Sequence, residues 1–314
     1  MNTKSATYGL IDRARRTPAI NIPLTSLGRR LLPSGSLRCW CVKHLPRIGT
    51  VTIDLPYGAG NKQVVLQSGS DWLTSRIWWD GVAAFEPEVG PYFSALASQT
   101  RCVLDIGAYT GWYSILTTVL NPTARVLAFE ANPTVIDDLR KNLELNSFES
   151  VEIVECAVST EDGEAQFHLG APGLPSSSSL EAEWRGLDRT ITVQTRSIDS
   201  VMESCGLPQV DLVKIDIEGS EHRAIYGMKE TILRCQPVMV IELLKAHRST
   251  FLDVVPFLTS AGYEIYQCTP EALLHVEPTV EELTRAEAIN FLTVPRDNKF
   301  RPLLGLDTPR PRHQ

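Results

Sequence analysis

Arg101-Cys-Val-Leu-Asp105-Ile-Gly107-Ala-Tyr-Thr-Gly111-Trp-Tyr-Ser114 runs as a largely apolar segment, breaks at two glycines, and resumes as a second apolar segment. The first part has the length and composition of a buried strand, and residues 112–120 have those of a helix. Two glycines between them allow the backbone to come close to a ligand, with a helix start beside it. Alone, such a turn is weak evidence, because many α/β chains use one only for packing.

Outward from this turn the same alternation repeats. Apolar strands are predicted over 125–130, 150–157, 191–196, 212–217, 238–243 and 262–267, and helices over 134–146, 198–205, 221–233 and 249–261. Parallel strands need long crossovers, so strands alternating with helices imply a parallel sheet covered on both faces. The fold class is therefore α/β, a Rossmann-like nucleotide fold, expected over 99–295. Ahead of it, residues 1–50 carry Pro18, Pro23, Pro33 and Pro46 and read as an arm or helical lead-in. Residues 51–98 read as a small addition, a hairpin over 51–66 and a helix over 91–98. The segment 161–180, with Ala-Pro-Gly-Leu-Pro and the serines Ser176 to Ser179, reads as a loop over the sheet, and 296–314 as a loose tail.

Bulk composition limits the function classes. The 314 residues are 43% hydrophobic and 21% charged, as in an ordinary globular chain. A net charge of −7 and a pI near 5.5 lack the basic footprint of nucleic-acid binding. The N-terminal arginines Arg13, Arg15, Arg16, Arg29, Arg30 and Arg38 read as a solvated arm. No run reaches a membrane span's length and no leader-like segment opens the chain, so a cytoplasmic protein is expected. Seven scattered cysteines suit neither a disulfide framework nor a zinc site.

The ligand class follows from the turn and the next strand. That strand ends in Phe129-Glu130, where a carboxylate accepts hydrogen bonds from the two ribose hydroxyls of an adenosine. A dinucleotide fingerprint needs G-x-G-x-x-G, whereas Ala108 stands directly after Gly107 and the next glycine is Gly111. Asp105 at the strand end repels a pyrophosphate but suits a ligand carrying an amino acid and a sulfonium. S-adenosylmethionine is thus favoured over NAD, leaving an NAD-dependent oxidoreductase as the second reading and a non-catalytic cofactor-binding partner protein as the third.

Three motifs together, Asp105 to Ser114, Ala128-Phe-Glu130-Ala-Asn-Pro133 and Asp211-Leu-Val-Lys214-Ile-Asp216-Ile-Glu218-Gly219-Ser-Glu221, resemble the FkbM family of class I methyltransferases. The resemblance spans about 79–294, including Phe85-Glu86-Pro87-Glu88. It implies a seven-stranded methyltransferase sheet and methylation of a hydroxyl on a sugar or polyketide-type natural product. Carried over by position, Asp105, Gly107 and Gly111 line the methionine end, with Ala108 in the same loop. Glu130 holds the ribose, and Ala157, between Cys156 and Val158, presents its backbone to the adenine.

Methyl transfer from sulfonium to hydroxyl requires alignment, exclusion of water and a proton acceptor. Asp216, Glu218 and Glu221 crowd the end of a buried strand, so repulsion is expected to raise at least one pKa, with Lys214 the nearest cation. Asp216 or Glu218 is the expected base. Glu242, at the end of the next strand, and His247 shortly after it are further candidates for base or substrate contact. Asp216, Glu218 and Glu242 offer hard oxygen ligands of the kind magnesium accepts, but their spacing is no ligand motif, so a metal is not favoured. The expected partner is a small-molecule hydroxyl acceptor.

Overall fold

The computed structural model describes residues 17–33, 35–58, 60–68, 72–170, 178–181, 189–277, 279–286 and 289–306. The first sixteen residues, the Ala-Pro-Gly-Leu-Pro segment with the first two serines after it, and 307–314 lie outside the described residues. The described residues begin with α1 (Pro18–Leu31) and α2 (Ser36–His44). The hairpin β1 (Gly49–Leu55) and β2 (Lys62–Ser68) follows, then α3 (Trp72–Asp80) and α4 (Gly90–Ala97). Next come β3 (Cys102–Ile106), α5 (Trp112–Leu120), β4 (Arg125–Phe129), α6 (Pro133–Leu145) and β5 (Val151–Val154). β6 (Ala157–Val158), β7 (Gly163–His168) and β8 (Thr190–Arg196) form a separate three-stranded sheet. The chain continues with α7 (Ile198–Ser204), β9 (Leu212–Ile215), α8 (Glu221–Tyr226), α9 (Lys229–Cys235) and β10 (Val238–Glu242). It ends with α10 (Arg248–Phe251), α11 (Val255–Ser260), β11 (Tyr263–Cys268), β12 (Leu273–Val276), α12 (Val280–Arg285) and β13 (Asn290–Pro295).

The main sheet has the order β12-β11-β13-β10-β9-β3-β4-β5. Strands β5, β4, β3, β9 and β10 are mutually parallel, and β13 runs antiparallel to β10 and β11. The sheet therefore has eight strands rather than the expected seven, because β12 folds back on β11 as an edge hairpin. From β3 the chain proceeds outward to β4 and β5, then returns to β9 on the other side. This reversal puts a crevice between the carboxyl ends of β3 and β9, the usual ligand position in open α/β sheets.

Alternating side chains cover both faces, which fixes the sheet between two helical layers. Val103, Leu212, Val240 and Leu292 pack on one face with Phe93, Trp112 and Ile115. Leu104, Val213, Met239 and Phe291 pack on the other with Ile198, Ile225, Ile232 and Leu258. Complete burial of strands such as β3 is the expected signature of a parallel sheet covered on both sides.

Several expected elements differ in detail. The segment 161–180 is not all loop, since β7 pairs with β8 over six residues. The strand predicted over 150–157 splits into β5 and β6, which belong to different sheets. The helix over 221–233 divides around Gly227 and Met228, and that over 249–261 divides ahead of Pro256. Residues up to 306 are packed rather than loose: Phe300 and Leu304 are buried, and Arg301 donates to Glu264 Oε2 at 2.9 Å. Among the described residues no helix is long and apolar enough to cross a membrane, and the seven cysteines are unbridged.

Candidate active site

At the carboxyl ends of β3, β4 and β9 lies a cleft that is partly open to solvent. Its walls include Gly107, Tyr109, Glu130, Ala157, Asp216 and Glu218, bringing four segments far apart in sequence to one place. Ile106, Phe129, Val158, Phe167 and Leu180 add apolar surface. Of the predicted residues, Gly107, Glu130, Ala157, Asp216 and Glu218 line it; Asp105, Ala108, Gly111, Glu242 and His247 are not among its walls.

Glu130 is buried at the rim of this cavity, and its carboxylate is held by the backbone. Oε2 accepts from Tyr109 N at 2.8 Å and Oε1 from Asn132 N at 2.7 Å. Asn132 caps α6, accepting from Thr134 N through Oδ1, so the helix start and the carboxylate are fixed together. Burial pushes the Glu130 carboxyl up to about 7, against the backbone hydrogen bonds that favour its charged form. Two oxygens offer about four acceptor positions, so a ligand's hydroxyls find lone pairs beyond those the backbone takes.

The glycine turn also has a packing role. A Cβ on Gly107, whose φ is +82°, would stand 1.9 Å from the carbonyl oxygen of Asp216, so the turn presses on the backbone beyond β9. A Cβ on Gly111 would stand 2.4 Å from Leu139 of α6, so this position serves helix packing. Asp105 turns toward α5, where Oδ2 accepts from Ser114 N at 2.9 Å and Ser114 Oγ at 2.7 Å. Its burial raises the carboxyl to about 6. Asp105 thus ties the turn to the helix that follows it.

A second cluster stands on the β9 and β10 side. Lys214 is 1% exposed, and its Nζ lies 3.2 Å from Asp216 Oδ2 and 5.4 Å from the Tyr113 ring centroid. Glu86, Asp216 and Glu242 bring carboxylate oxygens within 4.8 Å of one another. Glu86 therefore stands in this trio in the place expected for Glu218. It arrives from the segment before α4, with φ of +43°, and accepts a hydrogen bond from Tyr113 Oη. Burial raises Glu86, and burial with the Asp216 charge keeps Glu242 protonated far above the usual carboxylate range. Asp216 is lowered although burial opposes this, because the Lys214 charge and a hydrogen bond from Glu242 hold it ionised.

The remaining candidates separate in space. Glu221 shares in the expected repulsion, since burial first and then the Asp216 charge raise it to about 7, and it also closes its own turn by accepting from Gly219 N at 3.0 Å. The His247 ring lies against Gly219. Ser178 accepts from Gly170 N at 2.9 Å and from Asn132 Nδ2 at 3.0 Å, and Ser179 Oγ donates to the Glu218 carbonyl at 2.9 Å. The end of the serine run is thereby strapped across the cavity, a closure that serine content alone does not specify. Asn290, directly opposite Glu242 in the β10/β13 register, donates to Glu88 Oε1 at 3.0 Å.

The chain is similar to several known proteins. The 2-O-methyltransferase NoeI of Sinorhizobium fredii is 28% identical over 154 residues, which is 45% of this chain and 63% of NoeI. The hexuronic acid methyltransferase AglP of Haloferax volcanii is 25% identical over 144 residues, 46% of this chain and 56% of AglP. The chain thus spans less than two thirds of either relative. A crystal structure of methyltransferase FkbM from Methylobacillus flagellatus superposes with a TM-score of 0.40 at 19% identity, covering 62% of this chain and 43% of that one. The methyltransferase FkbM domain matches residues 105–265, more than half of the sequence, and the chain belongs to that family.

Proposed function

We propose that this protein transfers a methyl group from S-adenosylmethionine to a hydroxyl of a sugar or natural-product acceptor. The observation that carries the reading is Glu130, a buried carboxylate oriented by two backbone N–H groups at the edge of a cavity between β3 and β9. In this reading Glu130 accepts the ribose hydroxyls, and the apolar wall of Phe129, Val158, Phe167 and Leu180 receives the adenine beside Ala157. The family membership supports methyl transfer, and the names of NoeI and AglP support oxygen as the acceptor atom and a sugar as its carrier.

The sulfonium of the bound cofactor supplies an electrophilic methyl group. Asp216 lines the cavity and is held ionised there, so it would take up the hydroxyl proton as the methyl carbon exchanges its bond to sulfur for one to the acceptor oxygen; its lowered value makes it a weak base, and alignment supplies the rest of the acceleration. Lys214 keeps Asp216 charged and pointed, while Glu242, already protonated, orients it as a hydrogen-bond donor. Asp105 acts through Ser114 as a positioning residue for the turn that carries Gly107. The strap at Ser178 and Ser179 limits water access to the cavity.

The test is methyl transfer from labelled S-adenosylmethionine to a panel of glycosides and uronic acids. Asp216→Asn is expected to lower kcat by about 10²-fold, the ordinary size of a general-base effect, with cofactor affinity unchanged. Transfer to none of the hydroxyl acceptors, or Asp216→Asn turnover within a few-fold of the native protein, contradicts the assignment.

A further inference from the structure

The helix α1 is turned inside out relative to a normal surface helix. Its inward side is polar: Asn21 and Thr25 are fully buried, and Asn21 Nδ2 donates to Pro46 O at 2.9 Å while its Oδ1 accepts from Ile48 N at 3.0 Å. Arg47 Nη1 reaches Ser26 Oγ at 3.0 Å, and Arg29 stacks 4.3 Å from the Trp78 ring centroid. The outward side is apolar. Ile20, Leu24, Leu27 and Leu31 are 41, 45, 55 and 69% exposed and recur at i, i+4, i+7 and i+11, one continuous stripe. In α2, Leu37 and Trp40 are also exposed and, three residues apart, share a face.

Most of the exposed large apolar side chains among the described residues fall in these two helices, which marks a contact surface rather than scatter. The charge of the sequence that carries them points to the partner, with Arg30 exposed on α1 itself while Arg29, Arg38 and Arg47 are partly buried in contacts within the protein. No acidic residue occurs between Asp12 and Asp54. Residues 1–50 hold nine lysines and arginines against one acidic residue, while the remainder holds 21 basic and 36 acidic residues. A basic segment with an exposed leucine stripe and a tryptophan has the chemistry of an interfacial helix on anionic lipid. The stripe spacing also fits a short coiled coil, but pairing two copies would bring two strongly basic segments together over only two heptads. From this combination we propose that α1 and α2 dock the protein on the surface of an anionic bilayer, with Ile20, Leu24, Leu27 and Leu31 entering the headgroup boundary. The proposal is independent of the chemistry assigned to the cavity.

Flotation of the full-length protein with vesicles tests it, using phosphatidylcholine alone and phosphatidylcholine mixed with phosphatidylglycerol, at low and high salt. The bound fraction is expected to be at least about tenfold higher on the anionic vesicles, to fall in high salt, and to drop about tenfold in Leu24→Gln/Leu27→Gln/Leu31→Gln with an unchanged melting temperature. Should that triple variant misfold, Arg30→Glu, at an exposed position, decides alone, with a loss of about fivefold expected. Absence of binding to anionic vesicles, equal binding by the variants, or a dimer that the triple variant dissociates without any lipid binding would each overturn the proposal.

Discussion

Glu130 joins two tasks in one carboxylate, since it organises the turn through Tyr109 and Asn132 and, in the proposed function, receives the ribose. Because burial raises it to about 7, the unliganded protein is partly protonated there at neutral pH. The charged form is the better acceptor, so affinity for S-adenosylhomocysteine should weaken as pH falls from about 8 to about 6. Glu130→Gln is expected to weaken binding about tenfold at pH 8, in line with the worth of a hydrogen bond to a charged group, and to flatten that pH dependence. Calorimetry across pH checks both; a pH-dependent affinity that survives in Glu130→Gln would assign the titration to another group. Glu130 was legible in the sequence because it ends a strand next to a glycine turn. Glu86 was not, because it reaches the Asp216 and Glu242 cluster across 130 residues of chain, a juxtaposition no local pattern encodes.

At the level of elements, the loop after β3 and the backbone beyond β9 are pressed together, and Gly107 is the contact. A methyl group there meets the Asp216 carbonyl at 1.9 Å in a left-handed backbone conformation, so two independent penalties act at once. Gly107→Ala is expected to destabilise the fold by about 3 kcal/mol or more, read as a lowered denaturant midpoint, because neither backbone can yield without disturbing the sheet. A variant as stable as the native protein would show the approach to be looser than described. The parallel strands were legible because burial on both faces makes them continuous apolar runs. By contrast β7, Gly-Glu-Ala-Gln-Phe-His, has one buried residue and lies in a small outer sheet, so its sequence looks like a loop. The α1 stripe carries a clear helical period, but a period alone does not say which side faces water.

For the molecule as a whole, burial of carboxyl groups in and beside the site sets a pH dependence of stability. Asp105, Glu130 and Glu221 have folded-state values near 6, 7 and 7, above their unfolded values, so the native state binds more protons than the unfolded state between about pH 4 and pH 7. Stability should therefore fall as pH rises through that window, by about 1–3 kcal/mol per group. Asp216 has the opposite sign, with a lowered value, and its contribution is lost on acidification below the usual carboxylate range. The unfolding midpoint is expected to be greatest near pH 4 and to decline through pH 7; a midpoint rising steadily over that range would contradict the burial of these carboxyls. The same cavity is the proposed cofactor site, and its ligand preference is the most direct test. Isothermal titration of the purified protein with S-adenosylhomocysteine, alongside NADH, is predicted to give micromolar binding of the first and none of the second. A failure to bind S-adenosylhomocysteine, or a preference for NADH, would contradict the site built around Glu130.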